Sequence, residues 1–185
     1  MRGIGNITAS IRSSSGSGRT YYSSYTTAQV LKEIGNKPGV LVTKSMEKMG
    51  LQNSFSNFDV TSVSPADLGL VSKNLYALGL IDKTTANLLI TAGTSLDGMG
   101  NQTQPNVKIN ALDYFAARID NLRNANINGN EYAFHVVPDY INTVYVLQNL
   151  NDFAKAGQSA SKASSSINSQ VAAAQASRPG VNTWV

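Results

Sequence analysis

One stretch constrains the chain more than any other. Residues 64–82, SPADLGLVSKNLYALGLID, carry both ends of one helix and the start of the next. Ser64 has the hydroxyl an N-cap needs, Pro65 fits the first helical position without wasting an N–H, and Asp67 sets negative charge at the helix's positive end. Leu68, Val71, Leu75 and Leu78 recur at helical spacing and predict one buried stripe. Gly79 ends the helix, Leu80 and Ile81 anchor the turn, and Asp82 caps a second helix whose Leu88, Leu89 and Ala92 supply another buried face. The pair is an αα-hairpin, with a turn too short to serve as a large catalytic loop.

The flanking sequence extends this helical pattern. A helix is expected over 27–34, capped by Thr26 or Thr27, with Val30, Leu31 and Ile34 on one face and Gly35, Asn36, Pro38 and Gly39 stopping it. The next segment is ambiguous. Val40–Val42 reads as a short strand, while Val42, Met46 and Met49 stand at helical spacing; we read it as helix. Residues 93–108 form the main internal loop, with Gly93, Gly98, Gly100 and Pro105 as breakers. Asn110 caps a helix over 111–123, with Asp113 at its positive end and Leu112, Phe115, Ile119 and Leu122 turned inward; 124–130, NANINGN, reads as its stop.

Residues 131–137, EYAFHVV, read as a short strand or an aromatic-bearing loop, and Pro138 as the start of a longer helix carrying Ile141, Val144, Tyr145, Leu147, Gln148, Leu150, Phe153 and Ala154. Gly157 is the expected stop. The Ala/Ser-rich residues that follow offer only Ile167 and Val171 as large anchors. The fold expected is therefore mostly α: a compact helical bundle-like core over 26–156. A flexible, basic arm over 1–25 precedes it, and a partly helical or disordered Ala/Ser-rich tail over 157–185 follows. The alternative is an α+β domain in which Val40–Val42 and Tyr132–Val137 pair as a short two-stranded element.

Composition narrows the chemistry. With no cysteine, the chain has no thiolate ligand, no cysteine nucleophile and no disulfide; with one histidine, His135, it has no multi-histidine metal centre. Apolar residues make up 42% and charged residues 14%, a balance unlike that of a charge-dominated disordered protein. The charge is lopsided: residues 1–48 hold seven Lys/Arg against two Asp/Glu, and the remainder eight against nine. The basic character thus belongs to the N-terminal part.

Several fragments approach active-site motifs and miss at the deciding residue. Lys44 and Ser45 end a GVLVTKS run, but Pro38 and Thr43 occupy the two glycine positions of a phosphate loop. GTSLD around Ser95 has Asp97 where a hydrolase elbow has its second glycine. The Asp97 run DGMGNQ brings one carboxylate where a calcium loop needs several. Asp113 and Asp120 lie seven residues apart and read as capping or solvated helix charge, not as an acid–base pair. Neither catalytic, cofactor-binding nor metal-binding residues are assigned, and no cofactor is expected.

Tyr21, Tyr22 and Tyr25 are the candidate partner-binding residues, since aromatics in a polar arm seek apolar surface. Arg2, Arg12, Arg19, Lys32, Lys37, Lys44 and Lys48 are the phosphate-neutralising candidates. They are widely spaced and accompany no recognition signature, so specific nucleic-acid binding is not expected. The function expected is non-enzymatic protein interaction or assembly, with a protein partner or self-association: an accessory, chaperone-like or structural component, in a bacterial setting. The alternatives are a small hydrolytic enzyme and a weak nucleic-acid-binding protein. No membrane span is expected, and MRGIGNITASIRSSSGSGR lacks the apolar run of a secretory signal. A cytoplasmic location follows as the default, with signal-independent export left open.

Overall fold

A computed structural model of the chain describes residues 24–94, 103–127, 129 and 131–176. The elements are α1 (Ser24–Ile34), α2 (Thr43–Lys48), α3 (Gln52–Phe55), α4 (Pro65–Ala77), α5 (Lys83–Thr91), α6 (Ala111–Ile127) and α7 (Glu131–Ala176). The mostly α, helical-bundle expectation holds. Among the described residues the α+β alternative is overturned, because Tyr132–Val137 lies inside α7 and Val40–Val42 leads into α2. The described residues contain no strand beyond one isolated antiparallel bridge between Val63 and Ile109.

The α4–α5 hairpin forms as its caps dictate. Ser64 accepts from the Asp67 N–H at 3.1 Å while its own hydroxyl donates to Asp67 Oδ2 at 2.6 Å. At the other end Gly79, with φ +68°, lets Leu80 N–H reach Leu75 O and Gly79 N–H reach Tyr76 O, both at 2.9 Å. This is the 6→1 and 5→2 pattern of a Schellman turn. Asp82 then caps α5 through the Thr85 N–H at 2.7 Å, and the buried Ser72 hydroxyl bonds Ala86 O across the two helices at 2.9 Å. The segment before α6 straps onto the segment before α4: Val63 and Ile109 exchange both backbone bonds, and Ala111 N–H reaches Val60 O.

Helix α7 is the spine. It packs against α6, α5, α3 and α2, while α1 lies on α6. The core joins all of them through Val30, Leu41, Met46, Phe55, Leu68, Leu75, Leu89, Phe115, Ile119, Val144, Leu147 and Leu150. Polar side chains of α7 also finish α1, whose last carbonyls have no helical partner. Tyr145 OH donates to Ile34 O at 3.0 Å, Gln148 Nε2 to Gly35 O at 3.1 Å, and Asn149 Nδ2 to Lys37 O at 3.0 Å. Asn149 Oδ1 accepts the Gly39 N–H at 2.8 Å, so one buried amide fixes the whole 37–39 turn.

Four boundary expectations are corrected. Neither Thr26 nor Thr27 caps α1: the helix already runs from Ser24, and Thr27 is buried within it. Helix α6 continues through the asparagines to Ile127, with Asn124 bonding Asp120 one turn back, and the reversal waits for Gly129 at φ +91°. Residues 131–137 are helix, not strand or loop, and Pro138 sits inside α7. The buried or half-buried Ala133, Val137, Tyr140, Val144 and Leu147 keep helical spacing straight across it, and the proline itself is exposed.

Gly157 does not stop α7 either. It is a buried point of close approach, where α3 crosses: a Cβ there would stand 3.0 Å from Gln52 Cγ and from Gln52 O.

Candidate functional site

The site begins with a short reversal. Gly50, at φ +69°, closes α2 and turns the chain so that the single turn of α3 drops Phe55 into the core beside α7. The Phe55 ring meets Phe58 at 6.0 Å and Phe153 at 6.3 Å, both edge-on, the geometry that aromatic quadrupoles favour. Across from it α4 presents a divided face. Leu68 and Leu75 are fully buried and Val71 is half-buried, while Leu70 is 60% exposed and Leu78 44% exposed.

Between α3 and α4 these residues enclose an open groove of about 460 Å³. Leu51 and Phe58 stand on one side and Leu70, Val71 and Leu78 on the other, with the buried Phe55 and Leu75 between them. Ser54 and Asn74 are its polar lining, so the surface is mainly apolar with hydrogen-bonding capacity at two points. The expectation that Leu78 belongs to the core stripe is thus corrected. Gly79 ends the helix so near that Leu78 becomes the C-cap, and it faces the groove with part of its surface in solvent.

Among the described residues, those that suggested chemistry are held in ordinary helical settings. His135 lies exposed in the early turns of α7, against the Phe134 ring at 5.8 Å. Lys44 and Ser45 are on helix α2, where no phosphate-cradling loop exists. Asp113 is bonded to the Asn110 side chain at the start of α6, and Asp120 to Asn124 two turns on. Ser95 and Asp97 lie outside the described residues, as do Tyr21, Tyr22, Arg2, Arg12 and Arg19; Tyr25 falls on the α1 backbone. Among the described residues no three acidic or histidine side chains gather as a metal would require.

Arg123 pairs with Glu33 at 3.0 Å, tying α6 to α1, and the Arg118 guanidinium lies 5.5 Å from the centre of the Tyr114 ring. Partial burial pushes the Tyr140 phenol above its ordinary pKa. A smaller hollow of about 230 Å³ includes Thr43, Glu47, Asn149 and Asp152, but its amide is already committed to Gly39 and Lys37. Among the described residues no helix is long and apolar enough to cross a membrane.

Sequence reasoning missed the groove because Leu70 stands off the periodic stripe and reads as an ordinary surface leucine. The available signal was LGL followed by YALGL: Leu70 and Leu78 are extra apolar positions beyond those needed to bury α4. No family model matches the chain, and no curated protein or solved structure is significantly similar to it.

Proposed function

We propose that this chain is a non-enzymatic interaction or assembly protein, and that the α3–α4 groove receives a protein segment carrying a large apolar anchor. The observation that supports this reading is the pairing of exposed Leu70 and Leu78 with Phe58 around a floor made by core residues Phe55 and Leu75. A floor held by the core is preorganised, so an incoming side chain exchanges water for apolar contact without reorganising the helices. Contiguous exposed apolar surface of this kind marks a binding site more often than scattered leucines do. The role is that of an accessory, chaperone-like or structural component, working through contact and not through turnover.

The test is selection of displayed peptides against the whole chain, with counter-selection against a Leu70→Asp/Leu78→Asp variant. Both positions are partly exposed, so the charges leave the core intact. Peptides rich in aromatic or aliphatic anchors that bind the unaltered protein and lose the variant support the groove. Equal binding to both proteins, or no enrichment, rejects it.

A further inference from the structure

The chain itself carries a large apolar anchor of the kind the groove fits. The single tryptophan, Trp184, lies in residues 177–185, SRPGVNTWV, which follow Ala176, the last described residue of α7. A tryptophan offers about 150–250 Å² of surface for burial and an indole N–H that wants an acceptor. The groove matches both demands, with leucine, valine and phenylalanine walls and the Asn74 and Ser54 side chains among them. Resting on the interaction reading above, we infer that the α3–α4 groove binds residues 177–185 of a second copy of this chain, with Trp184 as the anchor.

Reach selects the second copy. Helix α7 meets α3 where Gly157 touches Gln52, and it continues as helix to Ala176. Those further residues carry the chain roughly 28 Å along the axis at about 1.5 Å per residue. Trp184 stands eight residues beyond Ala176, a span of at most about 26–29 Å when fully stretched. Return to the same molecule's groove would consume the entire contour and leave nothing for reversal. Docking on a neighbour carries no such restriction. The two surfaces are different, so the contact is head-to-tail and can repeat from copy to copy.

Two variants separate the halves of the contact: Leu70→Asp/Leu78→Asp blocks the groove and keeps the tail, while Trp184→Ala keeps the groove and removes the anchor. For the unaltered chain, tryptophan emission should shift to the blue as concentration rises, in step with a weight-average mass that passes the dimer in sedimentation equilibrium. Each variant alone should associate about thirtyfold more weakly or worse. Mixing them should restore a one-to-one heterodimer that stops there, because only one intact groove and one intact tail remain. A blue shift independent of concentration, emission that stays fully solvent-like, association that survives Trp184→Ala, or failure of the mixture to pair would each overturn the inference. If the tail fails while selected peptides still need Leu70 and Leu78, this inference falls and the interaction reading stands. If selected peptides also ignore those leucines, both fall.

Discussion

Gly157 and Gln52 meet at a distance that no side chain larger than hydrogen fits without displacement: a Cβ on the glycine would lie 3.0 Å from the Gln52 backbone oxygen. Backbone gives way less readily than a side-chain tip, so a Cβ at 157 would have to push the α3 crossing back by a few tenths of an ångström. Gly69 in α4 is its control, with nothing within 4 Å of the corresponding position. Gly69→Ala should stabilise the protein by about 0.5–1 kcal/mol through helix propensity. Gly157→Ala should instead destabilise it, because overpacking of about 1–3 kcal/mol exceeds the same gain. Reversible urea denaturation of both variants measures the two signs, and equal stabilisation would remove the close-approach account.

Leu75 supports the groove from below while being fully buried in the core. Leu75→Ala should cost about 2–5 kcal/mol, whereas Leu70→Ala, on the exposed rim, should stay within about 0.5 kcal/mol. Thermal and chemical denaturation of the pair distinguishes floor from rim.

The contrast between α4 and α7 explains what could be read from the amino acids. The α4–α5 hairpin is written in local chemistry: Ser64, Asp67, Gly79 and Asp82 act within three or four residues of themselves, so their roles survive without knowledge of the rest. Gly157 carries the same residue type as Gly79 but owes its place to Gln52, more than one hundred residues earlier, and nothing nearby announces that contact. Pro138 misleads for a related reason. Its local preference is for a helix start, and packing along Ala133, Val137 and Tyr140 overrides it. In α2 the helix is legible but its buried face is not: Leu41 and Met46 go inside, whereas Val42 and Met49 remain exposed. The groove was the least legible feature, since it depends on how α3, Phe58 and α4 are set against one another and not on any local pattern.

Asn149 ties α7 to the 37–39 turn through both ends of its amide. Asn149→Ala should leave the Gly39 N–H and the Lys37 carbonyl without that partner and destabilise the fold by about 1–3 kcal/mol. Hydrogen exchange at Gly39 should accelerate by more than the global loss of stability explains; unchanged protection at that amide would contradict the assignment.

Asp59 organises the turn leading out of the groove, accepting the Thr61 N–H at 2.9 Å and the Thr61 hydroxyl at 2.6 Å. The Thr61 hydroxyl, then the Thr61 N–H, hold its carboxyl below the ordinary carboxylate pKa. A lowered folded-state pKa means the contribution is present above the unfolded value, about 3.9, and disappears as pH falls through the folded value. The stability difference between the unaltered chain and Asp59→Asn should therefore shift against the unaltered chain as pH drops below about 4. Denaturation midpoints from pH 7 to pH 2 check it, and a difference flat with pH would rule the carboxylate out. Its exposure keeps the effect small.

The most direct measurement of the central claim is methyl-resolved NMR of the full chain, titrated with a synthetic peptide selected on the groove. Saturable shifts should appear at Leu51, Leu70, Val71 and Leu78, which line the groove, while Leu89 and Leu147, buried elsewhere in the core, hold still. Saturable shifts confined to another face, or a bound peptide that leaves the Leu70 and Leu78 methyls unmoved, would contradict the account.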